Sequence, residues 1–291
     1  MTVVEAGLLV AAGATLGEGP AWDTSMGALV WVDIAQGIVH LTSADGLALA
    51  RFEAGIAVGA ALPTAGGGWL LAAADGLSAL SVEGNLAPVL PFLEQDSTLR
   101  CNDAKCDPEG RAFVGTMALD GTPGRGSLVR VDAGPVAATV RTGLTIGNGL
   151  GWSPDGRTMY HVDTPQPIVQ RFAYDPISGD LGAELQPIDV AVRPGGEAGP
   201  DGLCTDDTGC VWVAIWGQGE VHRYTPRGEL DLVVEVPARR VTSCAFGGAD
   251  GGRLFVTTAA GATGADLGGG LFAVDGLASG PPAMTWRDPG P

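Results

Sequence analysis

Lysine is nearly missing from this chain. Lys105 is the only one, so arginine supplies almost all the positive charge, and 16 basic residues face 33 acidic ones for a formal net charge of −17. A protein this acidic is repelled by DNA, RNA and anionic membrane surfaces, which excludes them as partners. Acidity serves solubility by itself and is also compatible with cation binding. Cysteine is sparse. Cys101, Cys106, Cys204, Cys210 and Cys244 are odd in number and irregular in spacing, which fits neither a zinc site nor a disulfide framework and leaves reduced thiols as the expectation. No stretch is long and apolar enough to span a membrane. Leu8 to Ala14 is apolar, but no basic residue precedes it and Glu5 has the wrong sign for a signal peptide. Val3 to Val10 reads instead as a strand, and the expected compartment is the cytoplasm. Histidine is limited to His40, His161 and His222, at unrelated positions of middle or third strands, so a His-based nucleophilic triad is not expected.

What is abundant is glycine, with 47 copies, beside 20 prolines and 45% hydrophobic residues. That mixture breaks long helices and suits many short strands joined by turns. One pattern recurs six times: a short apolar segment, a turn of Asp or Pro with Gly, then a strongly apolar strand. The second strands begin after Gly27, Gly68, Gly110, Gly156, Gly209 and Gly252. A third strand follows in most copies, as in Ser127 to Val131 and Glu220 to Tyr224. The turn glycines recur roughly every 40–53 residues, the period of a four-stranded propeller blade. The longest interval falls between Asp163 and Asp201, which predicts an extra loop there. A pair of β-sandwiches also has short, regularly spaced strands, but does not predict the same strand order six times. The expected fold is therefore all-β: one six-bladed β-propeller of four-stranded blades over residues 1–291. The N-terminal segment is expected to pair with the last blade and close the ring, which removes exposed sheet edges.

Counting back eight or nine residues from the turn glycines aligns the innermost strands. Glu18, Asn102, Asn148 and Asp201 fall at one level, with Val58 or Gly59 and Thr242 in the remaining two blades. In a propeller that level is a ring at the mouth of the central channel, and equivalent positions point the same way. Each residue alone reads as an ordinary turn former. In register, two carboxylates and one or two amide oxygens converging on an axis call for a cation, because unpaired buried carboxylates are costly. An all-oxygen set favours a hard divalent ion. Asp103 is one residue out of register and reads either as a hydrogen-bond acceptor inside the blade or as a support behind the metal site. Lys105 reads as reaching a carboxylate there or as a structural ion pair. The tryptophans read as blade packing.

The segments Leu16 to Trp22, Arg100 to Met117, Gly147 to Gly156 and Pro200 to Leu203 resemble the signatures of the senescence-marker-protein/gluconolactonase family. The likeness runs from about Leu16 to Val274, and its most specific part is the run from Arg100 through Asn102, Asp103 and Lys105 to Met117. The resemblance implies a six-bladed propeller that holds one divalent metal and hydrolyses sugar lactones. It maps metal ligands onto Glu18, Asn148 and Asp201, and substrate contacts onto Arg100 and Asn102. Asp120 matches the place of an acidic substrate-contacting residue, though Asp is shorter than the Glu found there in some members. Ca²⁺ is the expected ion, ahead of Mg²⁺, Mn²⁺ and Zn²⁺. Hydrolysis of a small-molecule aldonolactone is the leading expectation, with Asp201 as base or proton shuttle. A phosphotriesterase-like hydrolase and a calcium-binding propeller without turnover stand as alternatives, since fold does not decide function.

Overall fold

A computed structural model describes residues 2–134, 136–194, 197–261 and 266–287. Among them every regular element is a strand. The strands form six antiparallel blades whose innermost members are Gly17–Asp23, Val58–Pro63, Leu99–Cys106, Gly147–Trp152, Gly199–Thr205 and Val241–Gly247. In the first five blades the next three strands follow outward in chain order, whereas the last blade takes its fourth strand from the N-terminal segment. The six-bladed propeller of four-stranded blades is as the repeats predict.

Closure differs from the sequence reading in one respect. Val3 to Val10 is not one strand. Thr2–Glu5 adds a fifth, parallel strand to blade 5 beside Leu230–Glu235, whereas Gly7–Val10 is the outermost strand of blade 6 beside Leu271–Asp275. Ala6, buried between them, joins the apolar cluster that separates blades 5 and 6. A single N-terminal segment thus ties two blades together and supplies the fourth, outermost strand of blade 6.

Side chains alternate along the second strands, and both faces of each are covered by a neighbouring blade. This is why these strands read as unbroken apolar runs. Leu29 and Trp31 face Phe255 of blade 6, while Val30 and Val32 face Leu71 of blade 2. Six such clusters alternate with the blades around the described ring. Trp22 stacks on Phe255 at 5.8 Å between centroids, and Trp152 meets Phe113 edge-on at 5.4 Å, so these tryptophans are packing residues as expected.

At the lower rim, aspartates lock the turns that end the innermost strands. Asp107 is fully buried. It accepts hydrogen bonds from the amides of Glu109 and Arg111 at 3.0 and 2.7 Å, from Arg111 Nε at 2.7 Å, and from the Tyr174 hydroxyl of blade 4. Replacing it by Ala strands these donors. Asp107→Ala is expected to cost about 3 kcal/mol of stability. Denaturant unfolding checks this, and a loss under ~1 kcal/mol would show that water replaces the lock.

A feature with no sequence signal closes the lower face. The segment from Ser279 to Arg287 follows the rim from blade to blade. It bonds Asp207 of blade 5, Gly251 beside blade 6, Trp22 of blade 1, Pro63 of blade 2 and Gly110 of blade 3. With the innermost strands it encloses a channel cavity of about 260 Å³, lined by Asp103, Lys105 and Cys204 among others.

Candidate metal centre and mouth of the channel

Each innermost strand carries a register shift at its mouth end. The shifts lie at Glu18/Ala21, Val58/Ala60, Cys101/Ala104, Asn148/Leu150, Pro200/Leu203 and Val241/Ser243. A bulge of one extra residue re-aims the side chains around it. The ring residues found by counting therefore sit at, or next to, a bulge in every blade. Glycine beside them allows the blades to converge. A Cβ on Gly59 would lie 1.8 Å from the carbonyl oxygen of Asn102, and one on Gly149 would lie 2.5 Å from that of Asp201. At the mouth, neighbouring innermost strands are in backbone contact, which only glycine permits.

Glu18, Asn148 and Asp201 are all buried. Asn148 Nδ2 donates to Asp201 Oδ1 and, at 3.0 Å, to Thr164 Oγ1. Its Oδ1 is buried with no hydrogen-bond partner. Glu18 Oε2 accepts from the Gly19 amide at 3.0 Å. Burial holds the Glu18 carboxyl well above its usual range, and the charges of Asp201 and Asp103 add to the effect. Asp201 is raised as well, by burial and then by Asp103, against the opposing pull of Asn148, the Gly202 amide and Arg100. These groups are therefore short of positive charge, and one acceptor oxygen has no donor. Both deficits are what a bound cation removes, so the set fits a hard divalent ion. Among the described residues no three His, Cys, Asp or Glu side chains gather into a metal-binding group; the ring offers two carboxylates and an amide instead.

Arg100 and Asn102 lie at the same mouth. Arg100 Nη1 donates to the Cys101 carbonyl at 2.9 Å, and burial lowers its pKa while Glu18 and Asp201 oppose that change. Asn102 Nδ2 donates to the Gly147 carbonyl of blade 4 at 3.2 Å. Thr242 completes the level, with Oγ1 donating to the Gly17 carbonyl at 2.6 Å. Asp120 is set apart. It is exposed in the turn after Ala112–Ala118, where its carboxylate accepts from the Thr122 amide at 2.9 Å. That bond holds its pKa below the usual value. No hydrogen bond or ion pair among the described residues ties it to the ring.

Of the two readings of Asp103, the blade interior is excluded. The bulge leaves Asn102 and Asp103 together between Cys101 and Ala104, and Asp103 lines the channel beneath the ring. Lys105 makes no ion pair among the described residues; its Nζ donates to the Leu203 carbonyl at 2.7 Å. The three histidines stay within the blades: His40 stacks on Trp31, His161 meets Gln170, and His222 lies between Glu220 and Tyr224. All five cysteines are free and buried. A rim pair that sequence reading missed is half-buried Trp216 beneath the Arg240 guanidinium, 5.2 Å from the ring centroid. It had no signal, because its partner lies on the next blade.

Comparisons with known proteins place the chain by family and fold. The SMP-30/gluconolactonase/LRE-like region matches residues 16–260. The pentonolactonase of Haloferax volcanii is 36% identical, with 92% of this chain and 93% of that protein covered. The 6-deoxy-6-sulfogluconolactonase of Pseudomonas putida is 33% identical over 84% of this chain and 83% of its own. The crystal structure of a calcium-binding protein, regucalcin, from Agrobacterium tumefaciens superposes with a TM-score of 0.91 at 29% identity, covering 99% of both chains. With its ring of buried oxygen donors and a match across most of its length, the chain belongs to the SMP-30/gluconolactonase/LRE-like family.

Proposed function

We propose that this protein is a lactonase that opens a sugar-derived lactone to its aldonic acid, with one divalent ion held by Glu18, Asn148 and Asp201. The observation that carries the reading is the convergence of two charge-starved carboxylates and an orphaned amide oxygen at the channel mouth. It is supported by relatives named as lactonases that align over most of the chain. A divalent ion there would supply Lewis acidity for the lactone carbonyl. Asp201 is the base: it is a buried carboxylate at the ring, held in place by the Asn148 amide. It takes a proton from the water that attacks the carbonyl carbon. The ring C–O bond then breaks, and Asp201 passes that proton to the departing oxygen, which becomes a hydroxyl. Arg100 and Asn102 hold the sugar hydroxyls through directed donors. Asp120 joins them only if substrate binding turns it away from Thr122. One six-bladed propeller over residues 1–291 in the cytoplasm is the accompanying proposal; no helix of the described residues is long and apolar enough to cross a membrane.

Calcium binding without turnover is the second reading, favoured by the calcium-binding protein among the structural neighbours. Metal storage alone leaves Arg100 and Asn102 without a task at the mouth. The test is a panel of gluconolactone, xylonolactone, arabinonolactone and galactonolactone against an aryl phosphotriester. Each is assayed after chelation and with Ca²⁺, Mg²⁺, Mn²⁺ or Zn²⁺ restored. At least one lactone should open faster than in buffer, with a metal requirement. Turnover of the phosphotriester alone would replace this reading with a phosphotriesterase, and no turnover with tight Ca²⁺ binding would favour the second reading.

A further inference from the structure

The only lysine of the chain lies in the central channel, whereas every other strongly basic side chain is an arginine. Lys105 is on the innermost strand of blade 3, yet its Nζ donates at 2.7 Å to the Leu203 carbonyl on the innermost strand of blade 5. The side chain is thus a chord across the channel that passes over blade 4. Leu203 is two residues beyond Asp201 on the same strand. Asp103, two residues before Lys105, is buried and lines the same cavity. Asp103 also acts on both Glu18 and Asp201; burial raises its own pKa, and Lys105 is the cation that opposes that rise. A compact ammonium on a flexible stem suits this place, since one carbonyl is reached in a narrow channel where a planar guanidinium fork needs more room.

We propose that Asp103 and Lys105 form the charge-balanced floor of the cation site, positioning residues that set how strongly the mouth attracts a divalent ion. The inference rests on the metal reading given above. Asp103 supplies a third negative charge beneath Glu18 and Asp201 without reaching the ion, and Lys105 offsets it. Charges in a buried channel are weakly screened, so each acts on an ion at the mouth.

Direct titration of the full chain with Mn²⁺ and with Ca²⁺ by calorimetry tests this without reference to turnover. Asp103→Asn leaves the ammonium unopposed, and affinity should fall about tenfold. Lys105→Gln keeps a donor for Leu203 but removes the charge, and affinity should rise about tenfold. The double variant should return to within about threefold of the unmodified chain. Lys105→Met, which fits an apolar cavity wall, provides the same charge change should the Gln variant fold poorly. A merely structural role predicts that every variant binds more weakly and that the double is the weakest. Shifts of the two single variants in the same direction, while the unmodified chain binds metal, overturn the inference alone. Failure of the unmodified chain to bind either ion overturns the metal reading and this inference with it.

Discussion

Asp201→Ala is expected to lower kcat by about 10³-fold or more at saturating metal, and to weaken divalent binding by at least about a hundredfold. The side chain is asked to do two things, and both are lost together. It is one of two carboxylates at the ring, and it is the acceptor that orients Asn148 through Nδ2. Without it the amide is free to turn, and its orphaned Oδ1 no longer has a fixed direction. The stability outcome should run the other way. In the metal-free chain Asp201 is a buried, raised-pKa carboxyl that also pushes up Glu18. Removing it relieves that repulsion, so the melting temperature of the metal-free variant should equal or exceed that of the unmodified chain. Steady-state kinetics and calorimetry read the two effects separately. Near-normal kcat at saturating metal would refute the assignment of Asp201. A large loss of metal-free stability would show that the residue holds the strand rather than the ion.

Arg100→Ala should act mainly on substrate. Its guanidinium donates to the Cys101 carbonyl at 2.9 Å, and the charges of Glu18 and Asp201 act on it. A fork holding two sugar hydroxyls is worth about 2 kcal/mol, so KM should rise about thirtyfold while kcat changes by less than about fivefold. Metal affinity should not fall, because the substitution removes a positive charge from beside the ion. Arg100→Lys should recover only part of KM, since the charge returns without the planar fork. A drop in kcat with KM unchanged would instead assign Arg100 to the transition state.

The site residues differ in how far they could be read from the chain. Glu18, Asn148 and Asp201 emerged from counting, because the turn glycines fix each innermost strand at one end and side-chain alternation fixes it along its length. Asn102 emerged in the same way. Asp103 did not, because one extra residue in the bulge decides which side chains turn to the channel, and the bulge depends on pairing with Ala112–Ala118. Asp120 matched a family position in sequence, yet a local bond to Thr122 holds it in its own turn.

The sequence alone determined the number of blades, the order of strands within them, and the ring position that carries the oxygen donors. These are local properties: glycine at turns, period-two alternation, and apolar runs covered on both faces. Tertiary structure decided what depends on partners far away along the chain. The N-terminal segment divides at Ala6 because blades 5 and 6 each offer it an edge. Ser279 to Arg287 rounds the lower rim because the exposed ends of five blades supply it with hydrogen-bond partners. Lys105 reaches Leu203, 98 residues on, because the ring brings blade 3 within a lysine's length of blade 5. Spacing in sequence holds no record of such a distance, since closing the ring sets it.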